Sequence, residues 1–167
     1  MTVLYHGTNA AFEVPDVDAG REGMDFGKGF YLTPSVESAR KMAVRVVRHK
    51  GGTETVIAFE FDEESARRDG AVKDYPIMDR TWVNFVLANR LWDRSAADHN
   101  IDRRYRIVHG YVADDRLMQI IDDYEAGDLT IEQVEEKLRA AQFKSFQYSF
   151  HYQEDIAKYL KFKEVVA

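Results

Sequence analysis

Asp25-Phe26-Gly27-Lys28-Gly29-Phe30-Tyr31-Leu32-Thr33 is the stretch on which the reading of this chain turns. Two glycines one residue apart lead into Phe30-Tyr31-Leu32, an apolar triplet that reads as a short strand. Thr33-Pro34 then starts a helix, with Thr33 as N-cap and Pro34 at the first helical position. Val36, Ala39, Ala43, Val46 and Val47 make its apolar face, and Gly51-Gly52 stops it. The segment lacks the third glycine and the strand-before-helix order of a Rossmann fingerprint, and it has no Lys-Ser/Thr ending like a P-loop. Upstream, Leu4-Tyr5-His6-Gly7-Thr8 puts a histidine at a strand end beside a glycine, where backbone can approach a ligand closely.

Working outward, Thr55 to Phe61 alternates Thr55, Ile57, Phe59 and Phe61 against Val56, Ala58 and Glu60, the pattern of a half-buried strand. Trp82 to Leu91 is apolar nearly all round and predicts a buried helix. Asp93 to Arg106 is polar and reads as loop, Ile107 to Val112 as strand, and Leu117, Ile120, Ile121 and Tyr124 as a helical stripe. Thr130 opens a further helix through a capping box with Gln133, its inner face Ile131, Val134 and Leu138. Phe146, Tyr148 and Phe150 alternate with Gln147, Ser149 and His151, which predicts a strand with one greasy face and one polar, cleft-facing one. A short helix near Asp155 and a strand from Leu160 to Val166 complete a mixed α+β pattern with no repeat or linker, so one domain over residues 1–167 is expected.

The composition is 45% hydrophobic, 13% aromatic and 31% charged, which suits a packed globular core. The absence of cysteine excludes disulfides, thiolate metal sites and cysteine nucleophiles, and fits a reducing, cytoplasmic setting. No apolar run approaches the roughly 20 residues that span a bilayer, and the first motif begins at Leu4, so neither membrane insertion nor a secretory signal is expected. A net charge of −6 argues against an extended phosphate-binding surface. Local basic clusters, Arg40-Lys41-Arg45-Arg48-Lys50 and Arg103-Arg104-Arg106, read either as solvated faces or as docking patches for phosphates or an acidic partner. His49, His99, His109 and His151 show no paired ligand spacing, so no metal is expected.

Taken together, His-Gly-Thr and, about twenty-five residues on, Gly-Lys-Gly-Phe-Tyr-Leu-Thr resemble the ADP-ribosyltransferase superfamily, in the branch similar to diphtheria toxin and the poly(ADP-ribose) polymerases. Between Gly52 and Phe143 the likeness is looser, to short bacterial proteins carrying the same motif pair. The resemblance implies a split β-sheet core with flanking helices, and NAD held by His6, Gly7 and Thr8 and by the segment Gly27 to Tyr31, including Gly29 and Phe30. By match, His6 would bond the adenosine-side ribose, Gly7 would hold the nicotinamide carboxamide through its backbone, Tyr31 would lie against the nicotinamide ring and Ser38 would cap the carboxamide. Arg21 and Lys28 read either as pyrophosphate contacts or as solvated loop cations.

Two departures stand out. Met42 replaces a second stacking tyrosine, and Gln147 takes the place of the glutamate that stabilises positive charge as the glycosidic bond breaks, with Glu154 a nearby substitute carboxylate. A catalytic set of His6, Tyr31 and Gln147 leaves three readings open: a mono-ADP-ribosyltransferase with a protein or nucleic-acid acceptor, an NAD glycohydrolase of the toxin kind, and a non-catalytic NAD or ADP-ribose reader. An antitoxin or other regulatory partner that holds the activity in check is left open by the sequence.

Overall fold

Strand β1 (Thr2–Thr8) carries Leu4 and His6 on one face and Tyr5 and Gly7 on the other, and each face meets a different layer. In the computed structural model, which describes residues 1–113, 115–141 and 145–166, β1 pairs antiparallel with β3 (Thr55–Phe61), which pairs with β7 (Leu160–Val165). A second sheet runs β2 (Phe30–Leu32), β6 (Phe146–Phe150), β5 (Ile107–Tyr111), β4 (Val72–Tyr75), antiparallel except for β4 and β5. The helices are α1 (Val36–Lys50), α2 (Glu63–Arg68), α3 (Arg80–Arg90), α4 (Asp115–Glu125), α5 (Ile131–Ala140) and α6 (Gln153–Tyr159), with a 3-10 turn at Val17–Ala19. The chain is a small α+β domain built on two sheets.

The sheets face each other across Leu4, Ile57, Phe59 and Phe61 on one side and Phe30, Leu32, Ile107 and Phe150 on the other, all buried. Phe59 meets Phe30 edge-on with ring centroids 5.8 Å apart. The outer face of the second sheet, with Val108, packs against Phe26 and the buried sides of α3, α4 and α5. Among the described residues, β1 and β2 join at one bridge, where Tyr5 N–H donates to the Thr33 carbonyl at 2.8 Å and Thr33 N–H to the Tyr5 carbonyl at 2.9 Å.

Three local expectations need correction. Thr33 does not cap α1, because its backbone is taken by the bridge to Tyr5; Ser35 caps instead, its hydroxyl accepting from Ser38 N–H at 3.2 Å. β3 is buried on both faces rather than half-buried, because Ala39 and Ala43 of α1 cover Val56. Ser149 and His151 do not face an open cleft: both are fully buried behind the glycine-rich loop. The helices at Trp82 and at Thr130 form as expected, the latter through the Thr130–Gln133 capping box.

Candidate functional site at the parting of the strands

In an antiparallel strand the N–H and C=O of one residue point to the same edge, and successive residues alternate edges. Tyr5 spends both groups on Thr33 of the second sheet, so Gly7, two residues on, aims both of its own toward that same edge. A continued ladder would pair Gly7 with Tyr31. No such pair forms among the described residues; instead the Tyr31 carbonyl meets His6 Nδ1 at 2.8 Å. The imidazole thus takes the acceptor that the next rung would have used, and the strands part at Gly7 with a backbone amide edge facing the gap.

Gly7 also has a packing reason to be glycine. A Cβ there would lie 1.9 Å from the Ala39 carbonyl oxygen, so α1 rests directly on the strand and brings Ser38, half-buried, beside it. Met42, one turn further along α1, is 42% exposed. Thr8 is half-buried at the end of β1, opposite Thr55.

The ring nitrogen of His6 that faces a carbonyl must carry the hydrogen, which leaves Nε2 as an acceptor. Among the described residues no fully buried side-chain nitrogen or oxygen lacks a partner, and Nε2 of His6 has none, so this atom is not sealed from solvent. Burial lowers the pKa of His6 below the usual histidine value, and the bond to Tyr31 only partly opposes this, so the ring is neutral at physiological pH. Phe30 packs on the imidazole with centroids 4.4 Å apart and is itself buried in the inter-sheet core. Its part is to buttress His6.

Tyr31 is opposite Ser149 in the β2–β6 register, so its side chain shares a sheet face with Ser149 and with Gln147 two residues before it. Its hydroxyl donates to the Gly27 carbonyl at 2.6 Å and accepts from Phe26 N–H at 3.0 Å, which fixes the ring near Phe26. Burial, with Asp25 nearby, pushes this phenol well above its ordinary pKa. It stays protonated at physiological pH.

The glycine-rich loop is clamped by packing. A Cβ on Gly29 would lie 2.5 Å from the Phe150 carbonyl oxygen and 2.8 Å from His151 Nδ1. Gly27 holds φ at +90° against Asn100, a conformation that L side chains rarely adopt. His151 Nδ1 donates to the Lys28 carbonyl at 2.8 Å, and the Ser149 hydroxyl then donates to His151 Nε2 at 2.8 Å. Burial lowers the His151 pKa to about 4.

The sequence reading missed Asp25 as a site residue. It is 5% exposed, with Arg90 of α3 donating to Oδ1 at 2.6 Å and Ala113 N–H to Oδ2 at 3.1 Å. Gln147 Nε2 approaches the same Oδ2 at 3.4 Å. Of the remaining candidates, Arg21 is exposed with its Nε 3.3 Å from Met24 Sδ, the Lys28 backbone serves His151, and Glu154 is exposed on the first turn of α6. The cations Arg40, Lys41, Arg45, Arg48 and Lys50 are exposed on α1, with Arg45 4.0 Å from Asp115, and Arg103, Arg104 and Arg106 pair with Asp18, Asp102 and Asp155.

Two hollows lie elsewhere. One, of about 510 Å³, is lined by Thr81, Leu87, Leu91, Asp98 and Tyr124 among others; the other, of about 330 Å³, by Pro15, Phe59, Ile156 and Leu160. Neither is lined by His6, Tyr31 or Gln147. Among the described residues no cluster of three or more His, Asp or Glu is placed to hold a metal, and no helix is long and apolar enough to cross a membrane.

The fold and this gap define a small two-sheet α+β protein with a histidine-and-glycine strand edge as its candidate site. The chain belongs to the family described as Protein of unknown function (DUF3990), whose pattern matches residues 2–162 and so takes in both motifs and the late strand. No curated protein and no solved structure matches it.

Proposed function

We propose that the protein is an NAD-dependent mono-ADP-ribosyltransferase with a split-sheet nucleotide site at the parting of β1 and β2. The observation that carries the reading is the missing rung: with His6 on the Tyr31 carbonyl, the Gly7 edge faces a gap bordered by Tyr31, whose sheet face also carries Gln147. A primary carboxamide has one donor end and one acceptor end, as does a glycine edge, so the nicotinamide amide would complete the rung. The accessible Nε2 of His6 accepts a ribose hydroxyl, the Tyr31 ring faces the nicotinamide, and Ser38 lies on α1 beside Gly7.

In the reaction the bond between ribose C1′ and the nicotinamide nitrogen breaks, and its electron pair leaves with neutral nicotinamide. An acceptor nucleophile on a protein or nucleic acid then bonds to C1′ and releases a proton. Positive charge on the ribose grows between the two events, and a fixed dipole aimed at it lowers the barrier. The Gln147 oxygen supplies that dipole in place of a carboxylate. A neutral hydrogen bond is worth about 0.5–1.5 kcal/mol against about 1.5–3 for a charged one, so turnover is expected to be slow.

Incubating the purified chain with NAD labelled in its adenylate half tests the reading. Labelled protein or added acceptor together with free nicotinamide is the expected result. Free ADP-ribose with no labelled macromolecule would make water the acceptor and the protein a glycohydrolase; binding without nicotinamide release would make it a reader; absence of both removes the nucleotide reading.

A further inference from the structure

Gln147 is not free to choose which way round its amide faces. Its Nε2 lies against Asp25 Oδ2, and every other recorded bond to that carboxylate also comes from a donor: Arg90 at Oδ1 and Ala113 N–H at Oδ2. An ionised carboxylate accepts and does not donate, so the reversed amide would set its carbonyl against the Asp25 Oδ2 acceptor. The loop carrying Asp25 is itself fixed, because Asn89 of α3 donates to the Asp25 carbonyl at 3.0 Å and the Arg90 guanidinium to its side chain. The other end of the amide follows from this. Among the described residues Gln147 Oε1 has no partner, and no fully buried side-chain oxygen is without one, so Oε1 is not sealed from solvent on the face it shares with Tyr31.

We propose that Asp25 is a positioning residue of the nucleotide site: by holding the Gln147 amide hydrogen it turns the Gln147 carbonyl outward as a fixed acceptor for a ribose hydroxyl, and polarises it. The inference rests on the nucleotide reading above and deepens it. A hydrogen bond at one end of an amide strengthens the acceptor at the other, so the Asp25–Gln147 pair delivers part of a carboxylate's charge one amide away from the ribose. It also reverses a simple expectation. A glutamate at position 147 would place a second carboxylate against the first, and the two could not both ionise without strong mutual repulsion. The groups facing that spot are Asp25, the Arg90 guanidinium already paired with it, and the Tyr31 phenol, which stays protonated.

The test uses the full chain as parent, Gln147→Glu, Asp25→Asn and the double variant. Thermal melts without nucleotide at about pH 5 and about pH 8 come first. The folded Gln147→Glu protein holds an extra proton on its carboxylate pair, a raised pKa whose stabilisation is present at low pH and lost as pH rises. Its Tm relative to the parent is therefore expected to fall by about 3 °C or more between the two conditions, while the double variant, with one carboxylate, follows the parent. An equal Tm difference at both pH values overturns the contact, whatever the protein does with NAD.

Turnover comes second. Asp25→Asn is expected to lower kcat for nicotinamide release about tenfold while calorimetric NAD affinity changes less, and the double variant is expected to recover turnover above either single one. Gln147→Glu turning over faster than the parent overturns the positioning role and leaves the nucleotide reading standing. A parent that neither binds nor cleaves NAD removes that reading and the positioning role with it, and the melts still decide the contact. Should Asp25→Asn fail to fold, the Gln147→Glu measurements carry the decision.

Discussion

At one end of the glycine-rich segment His151 Nδ1 donates to the Lys28 carbonyl at 2.8 Å; at the other, His6 Nδ1 approaches the Tyr31 carbonyl at the same distance. The bonds are alike and the environments are not. His151 is fully buried, and its second nitrogen accepts from Ser149, so the ring is consumed by structure. Among the described residues the second nitrogen of His6 has no partner and is not sealed from solvent. What separates the two histidines is the fate of the second nitrogen and not the bond made by the first. Damage at the His151 end should therefore appear as lost stability, and damage at the His6 end as lost binding.

The largest expected effect is at the closed end. Gly29→Ala drives a methyl into the Phe150 carbonyl and the His151 ring, at a cost of about 3 kcal/mol or more, read as a lower denaturation midpoint. A normal midpoint would mean that the loop is not clamped there. Next is the pH response. His151 has a folded pKa of about 4, below the 6.5 of an unperturbed histidine, so the unfolded chain binds the proton more readily. Stability should fall as pH drops below about 6.5 and keep falling toward about pH 4, by about 3 kcal/mol in all from this residue. Urea melts across that window check it, and His151→Gln should flatten the slope; an unchanged slope would shift the cause to other groups.

Smaller effects belong to the tyrosine between the two ends. Tyr31→Phe keeps the ring but strands the Gly27 carbonyl and the Phe26 N–H, for a loss of about 1–3 kcal/mol in stability with NAD affinity little changed. Tyr31→Ala should weaken NAD binding as well. Smallest in stability, yet decisive for the comparison, is His6→Ala: a two- to tenfold weaker calorimetric NAD affinity, from one lost hydrogen bond of about 0.5–1.5 kcal/mol. If His6→Ala costs stability and leaves binding intact, the two histidines are the same kind of residue and the site lies elsewhere.

What could be read from the sequence was whatever has a local cause. The Thr130 cap, the alternation from Phe146 to Phe150, the buried helix at Trp82 and the glycine stop after α1 all depend on neighbours within a turn or a strand. α2 and β4 were not assigned, since six and four residues are too short to establish a period, and Val72-Lys73-Asp74-Tyr75 has no clean alternation. Other features depend on partners far along the chain. Thr33 looks like a cap until Tyr5 takes its backbone. Ser149 and His151 look like a cleft face until the Lys28 carbonyl, 123 residues from His151, satisfies the ring. Asp25 lies 122 residues from Gln147, and its sequence neighbours say nothing of their meeting. His6, Gly7, Tyr31 and Gln147 follow from the family resemblance, which says nothing of the missing rung that brings the first three to one gap.

The single bridge between Tyr5 and Thr33 makes that gap measurable without any ligand. It is the one rung that ladders β1 to β2 among the described residues, so separating the sheets at this edge means exposing those two amides and few others. Their deuterium uptake is a built-in gauge of how often the edge opens, and a molecule that fills the space beyond it should slow the exchange at Tyr5 and Thr33 before any product is formed.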